Sequence, residues 1–162
     1  EEVFVMSHTL VAYFSASGVT AKLAKRLASL TDADVHEIIP EVPYTSKDLD
    51  WMDHNSRSSI EMKDKTYRPA IANKVENIDQ YDMIYIGFPI WWYVAPTIIN
   101  TFLEQYDLKG KTIIPFATSG SSQMGKTNEE LKPSCPGAVL KEGKRFDADA
   151  SDEELKAWIQ QL

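Results

Sequence analysis

Short, largely apolar runs at residues 10–14, 35–39, 83–88 and 112–117 alternate with stretches of helical periodicity, and this alternation narrows the fold more than any other feature. A parallel strand is covered on both faces, so it reads as an apolar run bounded by polar turns. Between the runs, Val19, Leu23, Leu27 and Leu30 recur at helical spacing, as do Ile98, Ile99, Phe102 and Leu103 within residues 96–106. A shorter strand is expected at Ala138-Val139-Leu140. The last stretch, 151–162, opens on a capping box, Ser151 with Glu154, and carries a stripe of Leu155, Trp158, Ile159 and Leu162. Strands and helices alternating at this length imply an α/β chain with a parallel sheet between two helical layers. Pro115 withholds a ladder donor from the fourth strand and argues mildly against a central position for it.

A chain of 162 residues forms one domain and buries a substantial core. The domain is read over residues 9–162, with 1–8 an N-terminal extension left by processing or cloning. The net charge of −7 excludes a nucleic-acid or anionic-membrane surface, both of which demand a basic face. No apolar stretch approaches the roughly 20 residues of a membrane span, so a cytoplasmic location is expected, a trimmed leader aside. Cys135 is alone, which rules out an internal disulfide, and it reads as a small buried apolar residue rather than a nucleophile. His8, His36 and His54 are scattered without metal-ligand spacing.

Residues 40–74 form a connection several times longer than usual, running from the second strand to an expected helix before the third. It holds Trp51, Met52, Arg57, Tyr67 and a hydroxyl cluster at Ser56, Ser58 and Ser59. Such a segment either packs over one sheet face or forms a flap beside a ligand, with Arg57 contributing charge.

Ligands of open parallel sheets bind beyond the carboxyl ends of the strands. After the first strand come Ser15, Ala16, Ser17, Gly18, Val19 and Thr20, a hydroxyl-rich turn opening a helix. Amides and hydroxyls converging at a helix N-terminus suit an anion, and a turn without Lys or Arg suits a permanently held phosphate. The same pattern also serves as an ordinary helix cap. After the third strand, Pro89 and Ile90 lead into Trp91, Trp92 and Tyr93. Three aromatics at an exposed rim leave surface for stacking a flat heteroaromatic ring, with one Trp packing down on the following helix.

After the fourth strand, residues 118–125 supply Ser119, Gly120, Ser121 and Ser122. From Gly120 to Thr127 the chain also matches the Walker A pattern between a strand and a helix. Leu140 is followed by Lys141 where a magnesium-holding Asp is needed, which weighs against nucleotide hydrolysis. A phospho-accepting receiver domain is excluded, because Ser15 and Pro89 stand where its carboxylates belong.

With these loops the chain resembles a flavodoxin, of the bacterial group with a Pro-x-Trp-Trp loop, over residues 9–162. The resemblance implies a three-layer fold with a five-stranded parallel sheet of order 2-1-3-4-5. It implies that Ser15, Ser17, Gly18, Val19 and Thr20 hold the phosphate of FMN. It places Pro89, Ile90, Trp91, Trp92 and Tyr93 on one side of the flavin ring, and Ser119, Gly120, Ser121 and Ser122 on the other side or its pyrimidine edge. Val19 stands where the family usually has Asn. No Gly lies between Pro89 and Pro96, and Tyr93 stands where relatives often carry one. Glycine makes a backbone flip beside the flavin cheap, so a weakly stabilised one-electron-reduced flavin is expected. The implied function is electron transfer between redox partner proteins, a reductase and an acceptor, by a monomer or dimer. The alternative is an FMN-dependent NAD(P)H quinone or nitro reductase acting on a small quinone, with a P-loop hydrolase third. No side chain is nominated as catalytic.

Overall fold

The computed structural model describes residues 8–119 and 123–162; residues 1–7, read above within the extension, lie outside them. β1 (His8–Tyr13) feeds α1 (Val19–Thr31), followed by β2 (Asp34–Glu37) and the long excursion containing α2 (Arg57–Lys63). β3 (Tyr81–Pro89), α3 (Thr97–Glu104) and β4 (Thr112–Thr118) come next, then α4 (Thr127–Leu131), β5 (Val139–Leu140), β6 (Lys144–Phe146) and α5 (Asp152–Gln161). The sheet runs β2-β1-β3-β4-β5 with every ladder parallel, the expected order.

Successive strand residues point to opposite faces, and both faces are apolar. Leu10 and Ala12 of β1, Ile84, Ile86 and Phe88 of β3, and Ile113 and Ala117 of β4 turn to one side, under Ile98, Ile99, Phe102 and Leu103 of α3. Val11, Tyr13, Tyr85, Ile114 and Phe116 turn to the other, against Leu23 and Leu27 of α1 and Leu155 and Trp158 of α5. Each fully covered Phe or Leu contributes about 1.5–3 kcal/mol. One half of the expected capping box forms: the Ser151 Oγ accepts from the Glu154 N–H at 3.1 Å. Cys135 is buried, and desolvation pushes its thiol above the ordinary range, which fits the inert reading.

Two expectations are corrected. No α-helix lies between the excursion and β3; a single 3-10 turn, Ile78–Gln80, leads into the strand, and the helix of the excursion is the earlier α2. The fifth strand is not one run either. β5 pairs Thr112 and Ile113, β6 pairs residues 116–118 of β4, and the gap falls opposite Pro115. Pro115 has no N–H to offer there. Gly143, in the gap, lies so close that a Cβ would stand 2.5 Å from the Pro115 carbonyl oxygen. Pro115 therefore sits in a central strand, and its missing donor is absorbed by a break in its neighbour.

Gly87 of β3 is paired with Phe116 of β4, and the Phe116 ring occupies the space a side chain would take. A Cβ on Gly87 would stand 2.2 Å from the Phe116 Cζ, deep in a packed layer. Gly87→Ala is expected to cost about 1–3 kcal/mol by overpacking, read as a loss of several degrees in Tm by calorimetry.

His36 of β2 lies beside Phe102, with ring centroids 6.0 Å apart, and its Nε2 is buried without a hydrogen-bond partner among the described residues. Desolvation lowers its pKa, and the nearby Glu37 only partly opposes this. Below the ordinary His pKa the unfolded chain therefore binds more protons here than the folded one, so this contribution to stability falls as pH falls. The Tm should drop between pH 7.5 and 5.5, and His36→Phe should flatten that drop.

Candidate functional site

The loop after β1 is organised by Ser15. Its Oγ accepts from the Gly18 N–H at 3.0 Å and the Ala21 N–H at 3.2 Å, capping α1 from its first turn. A hydroxyl that accepts twice keeps its own proton to donate outward. Gly18 has φ +94°, and open space surrounds the position of a Cβ, so the backbone angle selects glycine here. Ser17, Gly18 and Val19 are exposed, and the first amides of α1 have no acceptor within the helix. Thr20 differs from the rest of the turn. It is buried, and its Oγ1 lies 2.7 Å from the Thr118 Oγ1 at the end of β4, so only its backbone faces the turn.

The loop after β3 is a two-residue reverse turn. Trp91 and Val94 exchange both backbone hydrogen bonds, at 2.9 and 3.2 Å, around Trp92 and Tyr93. Those residues have φ 50° and 66°, the left-handed geometry of a type I′ turn. Glycine or Asn normally fills these positions, and each bulky residue held there costs about 1–3 kcal/mol. The lack of a glycine does not prevent the left-handed backbone. Trp91 packs down, as one Trp was expected to: it joins the core cluster that holds the apolar residues of α3, and it meets Phe14 and Tyr44 edge-on, at 5.8 and 5.5 Å. Trp92 and Tyr93 remain 44% and 64% exposed. They border two cavities, about 520 Å³ towards Leu49, Trp51 and Ser58 of the excursion, and about 530 Å³ towards α3 and α4.

The loop after β4 is tied to both others. The Thr118 carbonyl accepts from the Ile90 N–H at 3.1 Å, while its side chain holds Thr20. Ser119 is clasped by Arg145 of β6, whose Nε donates to the Ser119 Oγ and whose Nη2 donates to the Ser119 carbonyl, both at 3.0 Å. Gly120, Ser121 and Ser122 lie outside the described residues. Gly125 presses on the aromatic turn: a Cβ there would stand 2.3 Å from the Tyr93 carbonyl oxygen. The Walker-like reading finds no support in the described part of this loop. Thr127, which would hold a magnesium ion, is fully buried and donates its hydroxyl to the Met124 carbonyl. No group of three metal-ligating side chains occurs among the described residues.

The excursion covers the sheet face, and Arg57 serves that packing. Its Nε donates to the Glu61 Oε2 at 2.9 Å, its Nη1 donates to the Val42 and Pro43 carbonyls, and its guanidinium lies 3.8 Å from the Tyr44 ring centroid. Tyr44 donates to the Glu61 Oε1 at 2.6 Å, and burial, then that bond, pushes its hydroxyl well above the ordinary tyrosine range. Glu61 is 2% exposed and depends on these partners. The flap reading, with Arg57 supplying charge to a ligand, gives way to a buttress: Arg57 holds Tyr44, and Tyr44 backs Trp91.

The structure thus brings together Ser15, Ser17, Gly18, Val19, Pro89, Ile90, Trp91, Trp92, Tyr93 and Ser119 at one end of the sheet. Sequence reasoning placed Thr118 and Gly125 within the loop without giving either a role, and it missed Arg145. No local signal links Arg145 to Ser119, or Gly125 to the Tyr93 carbonyl. Arg57→Ala strands a buried carboxylate and should cost about 3 kcal/mol in urea denaturation. Adding Glu61→Gln, which keeps an acceptor for Tyr44 without the charge, should recover at least half of that loss.

The family model described as Flavodoxin matches residues 8–162. A candidate flavoprotein of Bacteroides uniformis is 51% identical, with a TM-score of 0.90 over 95% of this chain and 98% of that one. One of Bacteroides eggerthii is 48% identical, with a TM-score of 0.91 over 97% and 98%. A Lactobacillus acidophilus flavoprotein, solved in complex with FMN, shares the fold at 24% identity and a TM-score of 0.72, over 95% and 99% of the two chains. No curated protein matches the sequence. With the match running from the first strand to the last helix, the chain belongs to the flavodoxin family.

Proposed function

We propose that the protein binds FMN across the ends of β1, β3 and β4 and carries electrons between a reductase and an acceptor protein. The observation that carries this reading is the convergence on Thr118, which joins a donor-rich helix start to an aromatic turn. Bound FMN would supply reversible one- and two-electron transfer. The residues present fit it. Ser15 and Ser17 offer hydroxyl protons, and the amides from Gly18 to Thr20 lie at the positive end of α1. A turn without cations holds a phosphate in place and gives no help to its transfer.

Pro89, Ile90 and Trp91 position the turn, and Trp92 and Tyr93 offer their rings to one side of the flavin. Ser119, oriented by Arg145, would begin the other side, continued by Gly120, Ser121 and Ser122. The acidic chain, at −7, suits docking on a basic face of a redox partner. No helix among the described residues is long and apolar enough to cross a membrane. A second reading, a quinone or nitro reductase fed by NAD(P)H, is favoured by the two cavities beside the aromatic turn, each roomy enough for a small second molecule.

Protein mixed with FMN and passed through gel filtration should retain the visible flavin bands, and a colourless protein would end this assignment. Ser17→Ala should weaken FMN binding about tenfold, the worth of one hydrogen bond to a charged group, and leave riboflavin, which lacks the phosphate, unchanged. The FMN-loaded protein alone should not oxidise NAD(P)H in steady state. Sustained turnover with a small quinone would replace the carrier by the reductase.

A further inference from the structure

We propose that Arg145 is a potential-setting residue, whose guanidinium charge, held against the loop after β4, favours the reduced state of FMN over the oxidised one; the proposal rests on the FMN reading above. None of the residues gathered at the carboxyl end of the sheet carries a charge. Arg145 brings one to their edge, through bonds of 3.0 Å from its Nε to the Ser119 Oγ and from its Nη2 to the Ser119 carbonyl. Its position is fixed from both ends. β6 sets Arg145 beside Ala117 of β4, and the next residue, Phe146, accepts the Ser119 N–H at 3.3 Å while its buried ring packs on Trp158. The guanidinium is held by the two bonds to Ser119 and a third to the Asp147 Oδ1. A charge fixed in this way needs no reorganisation when opposite charge develops nearby.

A second observation shows why Asp147 does not cancel this charge. The two ends of the ion pair are unequally wet: the Arg145 side chain is 17% exposed and that of Asp147 58%. Water and salt screen the carboxylate, whereas the sheltered guanidinium acts through protein of lower effective dielectric. Glu142 and Lys144, which share a cavity wall with Arg145, are opposite in sign and both exposed, so they add little. The pair therefore turns its positive end to the loop. Two electrons and one proton added to an oxidised flavin ring leave it with one negative charge, on its pyrimidine side. The loop after β4 is assigned to that edge or the adjoining face, and a cation there favours the more negative form. The electrons come from the reductase of the proposed carrier role.

The test is the two-electron midpoint of the FMN-loaded protein, read by stepwise dithionite reduction against a reference dye, with the Kd for oxidised FMN measured alongside. Arg145→Gln keeps a donor for Ser119 without the charge. Relative to oxidised FMN it should bind reduced FMN about tenfold more weakly, which lowers a two-electron midpoint by about 30 mV. Arg145→Lys should keep most of the parent's midpoint. Asp147→Asn removes the exposed counter-charge and leaves the clasp on Ser119, so it should raise the midpoint at low salt, by less than Arg145→Gln lowers it, and by less still at high salt. A merely structural Arg145 would weaken both states of FMN equally and leave the midpoint where it was. An unchanged midpoint in Arg145→Gln, a fall in Arg145→Lys as large as in Arg145→Gln, or no rise in Asp147→Asn at low salt would each overturn the proposal. If Arg145→Gln does not fold, the other two variants decide. A protein that retains no FMN would end both this proposal and the reading beneath it, whereas retained FMN with an indifferent midpoint ends this one alone.

Discussion

Everything at the carboxyl end of the sheet is referred to Thr118. Its side chain meets the buried Thr20 hydroxyl, and its carbonyl takes the Ile90 N–H. One residue at the end of a central strand thus sets the start of α1 and the aromatic loop relative to each other. A hydroxyl pair closed off from water is a demanding way to do so, because removing either member leaves the other unsatisfied. That demand is also what makes it specific: an apolar pair would tolerate sliding, whereas two hydroxyls 2.7 Å apart allow one arrangement.

The aromatic turn shows how such a frame is used. Trp92 and Tyr93 hold left-handed angles that their side chains disfavour, and the flanking contacts enforce them. Trp91 is anchored against Phe14 and Tyr44, Val94 closes the turn, and Gly125 presses on the Tyr93 carbonyl. With glycines the same turn would form more cheaply and offer no rings. The excursion pushes from behind through Arg57, Glu61 and Tyr44, so a segment that carries no ligand group in this account still decides where the ligand-facing rings stand.

Much of this was legible beforehand, for reasons that differ by residue. The β1 run is continuously apolar and the α1 stripe is periodic, so the hydroxyl-rich turn between them marks a helix start, a pattern that serves an anion and an ordinary cap alike. The Ser151 cap is local, and its bond from the Glu154 N–H is present. What stayed hidden depends on contacts distant in sequence. Nothing near Arg145 announces Ser119, and nothing near Gly125 announces Tyr93. Trp-Tyr carries no signature of a type I′ turn, since its geometry is imposed from outside. Arg57 could be paired with Glu61 from helical spacing alone, but not with the Val42 and Pro43 carbonyls.

Pro115 has one more effect. By breaking the neighbouring strand into pieces of two and three residues, it leaves the sheet with a discontinuous outer margin on that side. The opposite margin, β2, is only four residues long. A run of free backbone donors and acceptors is what recruits further chains into a growing sheet. Here neither margin offers one of useful length, so a core built on three strongly apolar strands, β1, β3 and β4, keeps its hydrogen bonding to itself.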